Sequence, residues 1–185
     1  MKNLILSISI LLICFSCNQK QAKNQGNGDR ALFESLTAKR VTLPNGWSLT
    51  PVGTSLNLND LPLNLVVSPS QKLLAVTNNG QSTQSIMLID AVSEKVLDEI
   101  IIKKSWVGLA FSRDEKYIYA SGGNDNIVVI YKIDNQKLIQ DGEIKLGDAF
   151  PKAKISPAGL CVDAQNNRLY VTAKDSKSFF ICDLK

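Results

Sequence analysis

Apolar residues along this chain come in short runs broken by polar turns, and one arrangement of runs and turns occurs three times. Leu63–Asn79 (LNLVVSPSQKLLAVTNN), Val107–Gly123 (VGLAFSRDEKYIYASGG) and Ala158–Lys174 (AGLCVDAQNNRLYVTAK) align without a gap, at spacings of 44 and 51 residues. Leu65, Leu109 and Leu160 fall in register, as do Val67, Phe111 and Val162, then Ser68, Ser112 and Asp163, and then Val76, Ala120 and Val171. Each copy reads as two strands joined by a polar turn: Ser68–Gln71, Ser112–Glu115 and Asp163–Asn167. A third apolar run follows each hairpin (Ile86–Ile89, Ile127–Ile133, Phe179–Cys182), and a fourth follows the first two copies (Val96–Ile102, Leu138–Leu146). The connections are too short to hold a helix, which predicts antiparallel sheets rather than βαβ units. Runs such as Leu73-Leu74-Ala75-Val76 are apolar on both faces, which suits a sheet sandwiched between two neighbours.

A repeat of this length with four strands per period predicts an all-β fold: an incomplete β-propeller of about three four-stranded antiparallel blades over residues 41–185. Propellers close with 4 to 8 blades, and the third copy stops at Lys185 after its third strand, so the expectation is the front portion of a longer protein. An uncovered end face would then expose apolar side chains and leave the isolated piece marginally stable. Trp47–Leu58, broken by Pro51 and Gly53, reads as the outermost strand or strands of a blade whose partners lie elsewhere.

Residues 1–17 differ from the rest. Lys2 supplies a positive start, Leu4–Phe15 is a twelve-residue apolar run, and Ser16-Cys17 closes it. Crossing a bilayer as a helix takes about 20 residues, so the segment predicts an export signal rather than a span. A small residue followed by cysteine resembles a bacterial lipobox, which would make Cys17 the lipidated first residue of the mature chain; ordinary cleavage with Cys17 as a bystander is the alternative. Residues 18–40 read as a polar tether, with a short helix at Ala31–Lys39. The expected location is the cell envelope, lipid-anchored at the outer membrane or periplasmic face.

The aligned tetrapeptides Ala75-Val76-Thr77-Asn78, Tyr119-Ala120-Ser121-Gly122 and Tyr170-Val171-Thr172-Ala173 resemble variants of the motif that names the YVTN, or YncE-like, β-propeller family. Leu43–Asn64, Val76–Ser85 and Tyr119–Asn126 also resemble the start of bacterial envelope proteins in which a YncE-like seven-bladed propeller precedes an alkaline-phosphatase-like phosphoesterase domain. The resemblance implies that catalysis lies beyond Lys185, because phosphatases of that superfamily hold a metal pair with Asp and His. It also implies that the remaining blades and a C-terminal domain are this segment's partners, alongside the membrane.

The chain contains no histidine, which removes Ser-His and Cys-His nucleophile pairs and the usual zinc sites. No cofactor, metal site or catalytic constellation is expected, and the chain reads as non-enzymatic. Gly122–Asn126 superficially suggests a calcium loop, but with one carboxylate between two strands it reads as a turn using φ > 0 residues. Asp60, Asp90, Asp134, Asp141, Asp163 and Asp183 recur near strand ends, where a carboxylate bonds turn amides. Cys161 and Cys182 fall on the first and third strands of one sheet, too far apart for a disulfide, and are expected as buried free thiols. Residues 18–185 keep 20 of the 21 basic residues and all 17 acidic ones, a net of +3. The lysines are scattered, with no stripe interleaved with aromatics, so no nucleic-acid partner is expected; Lys103-Lys104, Lys152 and Lys154 read as solvated loop charges.

In a propeller, loops entering the first strand of each blade and loops between the second and third strands crowd onto one rim. The candidate rim residues are Asn64, Asn78, Asn79, Trp106, Asn124 and Asp125. Trp106 takes the place of Pro62 and Pro157 in the other copies, and serves either to stack on a ligand or to plug the junction between blades. Two functions stand against each other: a non-catalytic binding or scaffolding propeller, and part of an enzyme, either a lactonase-like hydrolase or a phosphoesterase. A lactonase would need a metal or a polar cluster with His, Glu or Arg around the channel, and this rim offers Asn64 and Asn78 but no His or Arg.

Overall fold

The structure, a computed structural model, describes residues 26–50 and 53–184, so the predicted signal segment and Cys17 lie outside the described residues. The chain divides into two units, residues 1–55 and 56–185. In the first, helix α1 (Gly26–Ala38) begins five residues before the expected start at Ala31. From Arg30 on its side chains are largely exposed, Leu32 and Phe33 among them, and Arg30 Nε meets Glu34 Oε1 at 3.0 Å one turn away. Strands β1 (Val41–Thr42) and β2 (Ser48–Leu49) form a two-stranded hairpin. This corrects the expectation for Trp47–Leu58: among the described residues of that stretch only Ser48–Leu49 is a strand, and its partner is local. The cause is the Asn45-Gly46 turn, in which Gly46 takes φ 81° and Leu43 exchanges hydrogen bonds with Trp47 and Gly46.

The second unit holds three antiparallel sheets. Sheet one runs β3 (Pro62–Val67), β4 (Leu73–Asn78), β5 (Ser85–Asp90), β6 (Lys95–Ile101) in sequence order. Sheet two repeats that order with β7 (Leu109–Phe111), β8 (Tyr117–Ser121), β9 (Ile127–Asp134) and β10 (Lys137–Lys145). Sheet three has β11 (Pro157–Asp163), β12 (Arg168–Ala173) and β13 (Ser178–Asp183). The in-register positions are equivalent in space: Leu65 pairs with Val76, Leu109 with Ala120 and Leu160 with Val171. The aligned turn residues also share a task. Ser68 Oγ accepts the Leu73 N–H at 3.2 Å, Ser112 Oγ accepts that of Tyr117 at 3.0 Å, and Asp163 Oδ1 accepts those of Gln165 and Asn166 at 3.1 Å. Asp60 and Asp90 likewise accept backbone N–H groups, of Ser82 and of Val92 and Ser93.

The sheets stack face to face. Ala75, Ile86 and Leu88 of sheet one meet Leu109, Phe111, Ile118, Ala120, Val129 and Tyr131 of sheet two in the main core. The other face of sheet two supplies Tyr119 and Val128, which pack with Leu169 and Val171 of sheet three. Period-two alternation therefore serves two cores at once, which is why the middle sheet reads apolar throughout. Polar links fix the first junction: Asn64 Nδ2 donates to Val107 O at 2.7 Å, and Asp98 accepts from Leu138 N at 2.7 Å and Lys137 Nζ at 2.9 Å. At the second junction Gly108 lies so close to sheet three that a Cβ there would stand 2.1 Å from Ala158 O.

The outer faces stay open among the described residues. Leu65 and Val67 are 51% and 52% exposed on sheet one, and Phe179 and Ile181 are 59% and 58% exposed on sheet three. The expected burial of the thiols fails for this reason. Cys161 pairs across to Tyr170, and Tyr170 to Ile181, which puts Cys161 on the uncovered face, where it is exposed. Cys182 pairs with Leu169 on the covered face and is half-buried, and burial raises its thiol pKa. The two lie on opposite faces with β12 between them, so they remain free.

Candidate functional site

A cavity of about 300 Å³ opens where three sheets bring their loops together, lined by Gln84, Lys104, Ser105, Trp106, Gly123, Asn124, Ser156 and Lys174. Gln84 precedes β5 in sheet one; Lys104–Trp106 enter sheet two; Gly123 and Asn124 lie between β8 and β9; Ser156 enters sheet three and Lys174 follows β12. The loops between second and third strands and the loops entering first strands thus meet at one end of the stack. A second hollow of about 570 Å³ adjoins it, walled by Asn79–Gln84, Ile101–Lys103 and Trp106. Trp106 and Gln84 border both.

Backbone geometry sets these side chains. Gly123 adopts φ 52° in a single 3-10 turn (Gly123–Asp125), and Asn126 closes it in the left-handed region at φ 57°. This is the hairpin turn expected for Gly122–Asn126. Asn126 is fully buried, and its side chain ties down the approach to sheet three: Nδ2 donates to Asp148 O at 2.6 Å and Ala153 O at 3.0 Å, while Oδ1 accepts the Ser156 N–H at 2.9 Å. Ser156 Oγ then lies 2.6 Å from Asp175 Oδ2 and 3.0 Å from Asn124 Oδ1. On the opposite wall the Ser105 N–H donates to Gln84 Oε1 at 2.7 Å.

Electrostatically the wall is cationic. Its ionisable groups are the Lys104 and Lys174 ammoniums, each with a carboxylate outside the lining: Asp125 pairs with Lys104, and Asp175 lies 2.7 Å from Lys174. Hydrogen bonds from Lys174 and then Ser156 hold the Asp175 carboxyl below its ordinary pKa. Lys174 Nζ stands 5.9 Å from the centre of the Trp106 ring, a cation–π contact.

The candidate residues distribute unevenly. Trp106, 42% exposed, lines both hollows and is not a buried plug between blades. Asn124 lines the first hollow and Asn79 the second, where both polar atoms of the Asn79 amide are buried without a protein partner. Asp125 stands behind the wall, on Lys104. Asn64 and Asn78 line neither hollow: the first bridges sheets one and two, and the second is fully buried with Nδ2 on Ser85 Oγ at 3.2 Å. Ser105, Ser156 and Lys174 lie in the rim loops read from the sequence. Lys104, expected as a solvated loop charge, instead lines the hollow and pairs with Asp125, and Gln84 had no signal within its polar loop.

No protein-family model and no curated protein matches this chain. Solved structures do. A chain of the mitotic checkpoint complex superposes with a TM-score of 0.58 at 16% identity, over 75% of this chain and 39% of that one. The WD40 repeats of RRP9 give 0.51 at 14%, over 70% and 40%. A chain of hydrazine synthase from Kuenenia stuttgartiensis gives 0.53 at 22%, over 71% and 35%. This chain therefore spans well under half the length of these neighbours. WD40 repeats are propeller blades, and the stacked, sequentially ordered antiparallel sheets place this chain in the same class: an all-β, incomplete propeller, with no closed ring among the described residues. At these identities the likeness concerns the fold alone.

Proposed function

We propose that this chain is the non-catalytic, ligand-binding part of a lipid-anchored cell-envelope protein of YncE-like type. Cys17 carries the lipid, the polar residues after it form the leash, and the hollow around Trp106 receives the ligand. Further blades cover the open faces, and a C-terminal phosphoesterase-like domain supplies catalysis in the whole protein. The observation that carries the binding reading is the convergence of side chains from three successive sheets on one hollow beside a half-exposed indole. Concave sites with a few convergent polar groups are where small ligands bind, and the resemblance to envelope propellers and the apolar outer faces support the rest. The open outer faces also bear on partners, because large exposed apolar patches mark surfaces that another element covers.

The test of binding is a small-molecule screen against the full chain by thermal shift, repeated with Trp106→Ala. Ligands whose stabilisation disappears in the variant support the site, and ligands that stabilise both proteins equally refute it. Lactone and phosphate-ester hydrolysis assayed on the same protein should stay at background; turnover above that would restore the enzyme reading. Incorporation of a clickable fatty acid in a bacterial host, present in the wild type and absent in Cys17→Ser, tests the anchor.

A further inference from the structure

The hollow's chemistry narrows the ligand class, an inference that rests on the binding reading above. We infer that it takes a small organic oxyanion, a carboxylate or phosphate ester carrying one flat ring. The acceptor oxygens meet Lys104, Lys174 and the Gln84 amide, and the ring lies on the Trp106 indole.

Three observations carry this. The first is the direction of the hydrogen bonds. A backbone N–H can only donate, so the 2.7 Å contact from Ser105 N fixes the Gln84 carbonyl oxygen as the acceptor. The Gln84 NH₂ group has no protein acceptor among the described residues, so both of its donors are left for an occupant, while its oxygen already accepts one N–H. The second is charge. Both ionisable residues of the lining are lysines, and Asp125 and Asp175 lie outside it. Two further lysines add to the local excess: Lys103 walls the adjoining hollow, and Lys154 is near enough to act on the Asp175 carboxylate. Asp60 accepts the Ser82 N–H beside that adjoining hollow, so four ammoniums stand near three carboxylates, and Asp125 and Asp175 already engage a lysine. The third is shape. The indole is 42% exposed and supplies the flat apolar surface of the hollow. Its volume of about 300 Å³ lies at the small end of ligand pockets and is enough for one ring. A cation would meet the two ammoniums, and a neutral ring would leave unused the donors that each ammonium keeps beyond its one carboxylate partner.

The experiment follows the indole N–H cross-peak of Trp106 by NMR in the full chain, assigned with Trp106→Phe, during titration with four probes of similar size. Benzoate and phenyl phosphate are the anions, benzyl alcohol the neutral probe and benzylamine the cation. The expected result is that at least one anion binds about tenfold more tightly than benzyl alcohol, the advantage two partly exposed ammoniums provide. That preference should shrink in Lys104→Gln/Lys174→Gln and with added salt. A response to benzoate alone or phenyl phosphate alone supports the inference and identifies the oxyanion. Equal or tighter binding of benzyl alcohol or benzylamine overturns the anion class while leaving the binding hollow intact. No shift with any of the four overturns the binding reading along with this inference.

Discussion

Replacing Asn126 by alanine tests whether the approach to sheet three is held by one side chain. The residue is fully buried and makes three hydrogen bonds through its amide. Asp148 is exposed and Ala153 half-buried, so their carbonyls can recruit water once the amide is gone, and the two losses together cost about 1 kcal/mol or less. The Ser156 N–H belongs to a residue only 5% exposed and would be left without an acceptor, at about 2 kcal/mol. Alanine at φ 57° adds about 1 kcal/mol for the left-handed backbone. The total is about 3–4 kcal/mol, a large share of the roughly 5–15 kcal/mol that stabilises a typical domain. Urea denaturation of the full chain, followed by circular dichroism, should show the midpoint falling by about 1–2 M. Asn126→Gly separates the terms: it tolerates the left-handed backbone but makes no amide bonds, so it should recover about 1 kcal/mol relative to Asn126→Ala. If Asn126→Ala unfolds within about 1 kcal/mol of the wild type, the clamp is ornamental and the reasoning fails.

Asp98→Ala should cost about 1–3 kcal/mol by leaving the N–H of buried Leu138 unpaired at the first junction, measurable by the same denaturation. Burial opposes ionisation of Asp98, but the Leu138 N–H and Lys137 outweigh it and lower its pKa, so that contribution is present at neutral pH and lost on acidification. Gly108→Ala should destabilise by about 1–3 kcal/mol, because the new methyl meets the backbone oxygen of Ala158 rather than a side chain that could turn aside; an unchanged midpoint would show that the sheets part freely. Asn166 and Tyr170 hydrogen bonds bring the Asp163 carboxyl down to about 2 from its ordinary 3.8. With the folded value depressed, its stabilising effect is complete above the ordinary value and fades as pH drops towards about 2. A carboxyl-carbon NMR titration placing Asp163 near 4 would contradict this.

The strands and their register were legible because each sheet repeats one arrangement of apolar runs and side-chain-bonded turns, as at Ser68, Ser112 and Asp163. The rim was legible as a set of loops, since strand order fixes which connections share an end. Its chemistry was not. Lys104 reads like Lys103 in sequence, and only the fold sets one beside Asp125 and Trp106. Asn126 was visible as a turn residue, but its role depends on partners 22, 27 and 30 residues away. Cys161 was misjudged because alternation identifies two faces without saying which of them a neighbour covers. The Asn45-Gly46 hairpin turn went unrecognised behind the apolar character of Trp47–Leu58.

The hollow has no owner: its walls belong to three separately hydrogen-bonded sheets, held in position by side-chain packing and a few polar bridges. An occupant gripping Gln84, Lys104 and Lys174 together therefore acts as a strut between layers, favouring one stacking angle over others. By linkage, anything that shifts that angle, such as the docking of another sheet on the open face of β11–β13, alters how tightly the strut is held, and filling the hollow alters that docking in equal measure.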